Sequence, residues 1–91
     1  MEEEVFEGLD FSQGLEEDSY EGCTFDQCNF NSAELSGVRF SNCNFNGCDL
    51  SLVQVNRTAF QEVQFTSCKL LGIRFDQCNH MLLELAFNEC I

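Results

Sequence analysis

The sequence predicts an all-β solenoid, a chain wound into short coils from five-residue repeats. Three observations predict it. A large apolar residue recurs at every fifth position over twelve steps, a smaller apolar series runs two residues ahead of it, and proline is absent. The large series is Tyr20, Phe25, Phe30, Leu35, Phe40, Phe45, Leu50, Val55, Phe60, Phe65, Leu70 and Phe75. The small inward series is Cys23, Cys28, Ala33, Val38, Cys43, Cys48, Val53, Thr58, Val63, Cys68, Ile73 and Cys78, with Thr58 its one polar member. A helix would place apolar residues at steps of three and four, and a half-buried strand would alternate without a break. Here two residues spaced by two face the same way, as in a strand, and three residues then turn a corner. A chain that always turns the same pair inward winds into a coil filled by those side chains.

The residues between the series are mostly Asn, Asp, Gln, Ser, Gly, Glu or Arg. Cys28-Asn29-Phe30, Cys43-Asn44-Phe45-Asn46-Gly47 and Cys48-Asp49-Leu50 carry a recognisable motif: a small residue, Asp or Asn, Leu or Phe, a polar residue, then often Gly. In this the sequence resembles the pentapeptide-repeat family over about residues 20–79. Gly22, Gly37, Gly47 and Gly72 fall at the last motif position, where a residue without Cβ eases the turn. The resemblance implies a right-handed quadrilateral β-helix with four repeats per coil, about three to four coils in all. Residues twenty apart would then stack: Phe25, Phe45 and Phe65; Tyr20, Phe40 and Phe60; Phe30, Leu50 and Leu70; Leu35, Val55 and Phe75. The regular section would stand about 14 Å tall at the strand spacing of a sheet. Leu52 and Leu71 are apolar where the motif is polar; a contact surface is one reading of them, but single exposed leucines are ordinary and that plainer reading is preferred. Arg57 and Glu62 stand where Gly is common.

Both ends break the rhythm. Ahead of Tyr20 the inward places would fall to Asp18 and Gln13, which a core rejects, while Leu9 and Phe11 form a pair one residue out of step. Residues 1–19 are therefore expected to be an irregular acidic cap, with Val5, Phe6, Leu9, Phe11 and Leu15 covering the first coil. Residues 20–79 form the regular solenoid. At 80–91 the pattern resumes two residues late, with Leu85 and Phe87 as a pair and Cys90 opening the next, so a bulge is expected around 79–82. The last coil has no recognisable cap. Either Leu85, Phe87, Cys90 and Ile91 form an interface with another copy, giving a homodimer, or the natural chain is longer.

With 91 residues the chain is one domain, near the size where a core alone is marginal. Its net charge of −12 argues against direct nucleic-acid binding, which needs clustered Lys and Arg. Nine acids and no base lie within residues 1–21, so most of the charge sits at one end. No stretch approaches the ~20 apolar residues of a membrane span, and the acidic start lacks the basic and apolar regions of a signal peptide. A cytoplasmic location is expected, with no membrane partner.

Six of the seven cysteines occupy the small inward series, and Cys90 joins it after the slip. None forms a C-x-x-C pair, so they read as reduced, buried, small hydrophobes and neither a metal nor a disulfide framework is expected. His80, the only histidine, falls on the expected bulge and has no cleft in which to serve as a base. Glu16 and Glu17 lack a pocket that would raise a carboxylate pKa. No catalytic residue and no cofactor is expected, and the chain is not expected to be an enzyme. The first expectation is a binding or scaffold module whose partner is a protein of unknown identity. The alternative comes from the resemblance, because some pentapeptide-repeat proteins bind bacterial type II topoisomerases as DNA mimics and protect them from quinolones or inhibit them.

Overall fold

The structure is a computed structural model that describes residues 2–78 and 85–91. Among these, the chain forms eight short strands: β1 (Val5–Glu7), β2 (Ser19–Glu21), β3 (Thr24–Asp26), β4 (Arg39–Ser41), β5 (Asn44–Asn46), β6 (Ala59–Gln61), β7 (Val63–Thr66) and β8 (Leu85–Asn88). All their pairings are parallel. Strands β2, β4 and β6 make a first face, and β1, β3, β5, β7 and β8 a second. A third face is marked by bridges joining Asp10, Asn29, Asp49 and Lys69, and a fourth by Glu34 with Gln54. Tyr20 lies beside Phe40 and then Phe60, and Phe25 beside Phe45 and then Phe65, each step being twenty residues. Four five-residue repeats therefore complete one turn of a four-sided β-solenoid.

Each corner residue from Gly22 to Gly72 takes a left-handed conformation. Gly22, Gly37, Gly47 and Gly72 do so, but so do Gln27, Ser32, Asn42, Leu52, Arg57, Glu62 and Ser67, with φ between +52° and +62°. That conformation costs a residue with a Cβ roughly 1–2 kcal/mol. The winding holds it in place, because the corner N–H donates to a carbonyl of the next coil: Leu52 to Leu71 at 2.9 Å, Arg57 to Gln77 at 2.8 Å, Gln27 to Asn46 at 2.8 Å. Corners leaving the third and fourth faces are closed further by a turn hydrogen bond, as from Ala33 N–H to Phe30 O at 2.9 Å and Val38 N–H to Leu35 O at 3.1 Å. The Asp or Asn of the motif has its own task there. Asn29 and Asp49 each accept the N–H two residues on, from Asn31 at 2.9 Å and Ser51 at 3.0 Å, which presets the turn.

The interior is a set of stacked rungs. Phe25, Phe45 and Phe65 stack at 4.8 and 5.1 Å, Tyr20, Phe40 and Phe60 at 5.8 and 5.5 Å, and neighbouring ladders meet edge to face. Phe30, Leu35, Leu50 and Val55 are also buried. Each buried ring contributes roughly 2–3 kcal/mol of transfer free energy. The small inward residues do more than fill space. The thiols of Cys43, Cys48 and Cys68 donate to the carbonyls of Tyr20, Phe25 and Phe45, 23 residues back, at 3.4, 3.1 and 3.1 Å. Thr58 makes the same bond to Leu35 O at 2.7 Å, which is why a hydroxyl is tolerated in the core.

Toward the ends the coil changes register. The segment expected to be an irregular cap carries β1, with Phe6 opposite Phe25, an offset of nineteen. Phe6 stacks on Phe25 at 5.0 Å and Phe11 on Phe30 at 5.1 Å, so residues 2–11 continue the winding with one residue fewer. Gly14, at φ +102° and donating its N–H to Phe11 O at 2.8 Å, lies where the shorter corner is made. At the other end Phe87 lies opposite Phe65, an offset of twenty-two. The extra residues read around 79–82, and His80, lie outside the described residues. Just before them the fourth face gives way to a short 3-10 turn, Phe75–Gln77, and Leu70, Ile73 and Phe75 are only half-buried. The last rungs of the ladders are thus looser than the repeat alone implies.

Candidate interaction surfaces

Because the interior is occupied by side chains, the chemistry of the molecule lies on its outward rows. The second face is the longest. Its outward residues run from Val5 and Glu7 through Thr24 and Asp26 and Asn44 and Asn46 to Gln64 and Thr66, and end at Ala86 and Asn88. Charge fades along that row from the acidic first coil to a neutral band of amides and hydroxyls. On the third face Asp49 accepts from the Asn31 amide at 3.2 Å as well as from the Ser51 N–H. Partial burial works to raise its pKa, but the Ser51 N–H, the Asn31 amide and the Lys69 ammonium outweigh this and hold it below the usual carboxylate range. Asp10 is lowered in the same way by the Ser12 N–H, 2.9 Å away.

A shallow groove of about 520 Å³ runs along the corner between the first and second faces, lined by Asn42, Asn44, Glu62, Gln64, Leu85 and Ala86. Its polar members sit at motif positions where polar residues are ordinary, so nothing in their spacing announced it. Six of the seven thiols are buried, and Cys90 is half-buried. Burial pushes Cys43 and Cys78 up to about 11, and the hydrogen bond to Cys68 followed by burial pushes Cys48 well above the usual thiol range. Among the described residues, no group of three or more His, Cys, Asp or Glu is arranged to hold a metal ion. None of their helices is long and apolar enough to cross a membrane.

Of the residues marked as an interface in sequence, Leu85 and Cys90 are half-buried, while Phe87 and Ile91 are 51% and 74% exposed. Leu52 and Leu71, at 55% and 53% exposure, lie together on the corner between the third and fourth faces. The Leu52 side chain reaches over Gly72, where a Cβ would come within 2.7 Å of its Cδ2.

The model of the pentapeptide repeat region matches residues 19–91. The chain belongs to the pentapeptide-repeat family. The full-length structure of QnrB1, a plasmid-mediated fluoroquinolone resistance protein, has the same fold, with a TM-score of 0.68 and 20% identity over 99% of this chain. This chain spans 42% of QnrB1's length. Two trypsin-treated QnrB1 variants match at 18% and 19% identity, with TM-scores of 0.44 and 0.42, over 98% of this chain and 53% of theirs. The chain has no significant match among curated proteins. Membership of the pentapeptide-repeat family accounts for the four-sided winding, the stacked rings and the Asn or Asp at the turns; it leaves the outward rows free to differ.

Proposed function

We propose that the chain is a non-catalytic protein-interaction module, presenting the rigid lateral faces of the solenoid to a protein partner. The filled interior carries this reading. Phe25, Phe40, Phe45 and Phe60 are fully or almost fully buried along the axis, so recognition falls to flat outward rows, which suit a protein surface better than a small ligand. Its test is a photo-crosslinking residue placed on each face in turn, at Arg39, Gln64, Lys69 or Gln54, in the cells that make the protein. A discrete adduct from one face or two adjoining ones is expected. Equal adducts from all four, or none from any, would refute a face-specific partner.

The acidic charge and the likeness to QnrB1 favour a second reading, a binder of type II topoisomerases that mimics DNA. Five strands on the second face give a height of about 19 Å at the spacing of a sheet, against about 34 Å for a turn of DNA. This reading therefore takes a longer chain or two copies joined at the end formed by Leu85, Phe87, Cys90 and Ile91. A gyrase supercoiling assay, with and without a fluoroquinolone, separates it from the first. No effect of a sedimentation-verified dimer at high micromolar concentration would exclude the mimic.

A further inference from the structure

Asn46-Gly47 is the only Asn-Gly step in the sequence. A glycine nitrogen has no Cβ beside it to hinder its attack on the preceding asparagine side chain. In that attack Gly47 N bonds to Asn46 Cγ, the carboxamide nitrogen leaves as ammonia with the proton lost from Gly47, and a cyclic succinimide results. Water then opens the ring. Attack at Cγ gives aspartate, and attack at the main-chain carbonyl gives isoaspartate, in which the backbone runs through the former side chain.

Packing fixes glycine at this corner. Gln27, Ser32 and Asn42 hold a left-handed conformation with a Cβ in place, so φ alone does not demand glycine at position 47. The side chain of Gln27 lies across Gly47, and a Cβ there would collide with its carboxamide. The winding thus places the reactive pair together.

The same winding restrains it. The peptide group between Asn46 and Gly47 is pinned from both neighbouring coils. Its carbonyl accepts the Gln27 N–H at 2.8 Å, and its N–H donates to Thr66 O at 2.8 Å. Ring closure must turn this peptide until the nitrogen faces Cγ, and must take the proton from that nitrogen. Both hydrogen bonds break first. The preceding residue, Phe45, is fully buried between Phe25 and Phe65, so the peptide turns only when the coil itself opens.

We propose that Asn46–Gly47 is a site of spontaneous deamidation held shut by the winding, and that its isoaspartyl product cannot re-enter the solenoid. Isoaspartate lengthens the backbone by one carbon–carbon bond, about 1.5 Å. The coils at either end absorb a change of register, but β5 is paired at an offset of twenty on both sides. The carbonyl that Gln27 uses also becomes a free carboxylate, displaced from its place in the ladder. Each opening that ends in isoaspartate therefore withdraws a molecule from the folded pool. This goes beyond the proposed function and requires no partner.

The test incubates the full chain in mildly alkaline buffer, folded and in urea. Mass spectrometry of digests and isoaspartyl-specific methylation locate the product. In urea, conversion at Asn46 should outpace that at every other asparagine. In the folded chain it should be at least about a hundredfold slower, since a central coil opens rarely. The isoaspartyl chain, returned from urea, should melt at least about 8 °C below the unmodified one, from two lost backbone hydrogen bonds at about 4 °C or more each. Asn46→Asp, which carries the same charge on an ordinary backbone, should melt within about 4 °C of it. Asn46→Gln would need a larger ring and should stay unmodified at this site in both states. Equal rates in the folded and unfolded chains, or an isoaspartyl chain that melts with Asn46→Asp, would overturn the proposal.

Discussion

Replacing Phe45 with Ala should be the most damaging single truncation in the molecule, and its cost follows from position. Phe45 is fully buried, sandwiched between Phe25 at 4.8 Å and Phe65 at 5.1 Å, with Phe30 and Phe40 edge-on at 5.6 and 5.3 Å. Removing a core Phe costs about 3–5 kcal/mol, and a site closed by rings above, below and beside it has little freedom to collapse. Coils touch only their neighbours, so the lesion also uncouples the two halves of the solenoid. Phe87 has the same chemistry at the edge, half-exposed, with one stacked ring at 5.4 Å and one edge contact with Phe75. Its truncation leaves no closed cavity and should cost about 1–2 kcal/mol. Against a total of about 5–14 kcal/mol for a chain of this length, the first change leaves a marginal fold and the second a sound one. Urea denaturation followed by far-UV circular dichroism measures both. Equal losses, or a larger loss from Phe87→Ala, would refute a shared interior closed at its centre.

Three further outcomes follow from the same geometry. Phe45→Asp should unfold the chain while Asn46→Asp, on the outward row beside it, changes stability by no more than about 0.5 kcal/mol, as denaturant titration would show. Thr58→Val, which strips the donor from Leu35 O, should cost about 1–2 kcal/mol, whereas Thr58→Cys should cost clearly less, because cysteines make the same bond elsewhere in the interior; equal costs would show that the bond is idle. The thiol of Cys43 is raised by burial from 9.0 to about 11, so its contribution is complete below the unfolded-state pKa and is lost as pH rises through that of the folded state. Stability should therefore fall between about pH 9 and pH 11 by up to about 3 kcal/mol from this group, and Cys43→Ala should flatten that part of the profile.

The interior was legible in the sequence because a filled coil leaves no choice: every fifth residue must be large and apolar, and the residue two before it must be small. Thr58 stood out as an exception and the structure supplies its reason, a carbonyl that cysteine thiols serve in other coils. The first coil was harder to see. Its inward residues, Phe6 and Phe11, sit one step off the five-residue count from Tyr20, and the shortening falls near Gly14, at a φ shared with no other described corner. A lost residue at a corner leaves only the Leu9 and Phe11 pair as its trace. The exposed surfaces were legible in part. Leu52 and Leu71 broke the motif and were visible for that reason, but the left-handed conformation of Leu52 is a property of its corner, which the residue type conceals. The groove beside Asn42 and Glu62 left no trace, since polar residues at those positions satisfy the repeat whether or not a depression forms.

Nuclear Overhauser contacts between backbone protons test the winding most directly. The account predicts contacts linking Thr24 to Asn44 and Asn44 to Gln64, twenty residues apart, with offsets of nineteen between Val5 and Thr24 and twenty-two between Gln64 and Ala86. Contacts three and four residues apart throughout, or a constant offset other than twenty across β3, β5 and β7, would contradict it.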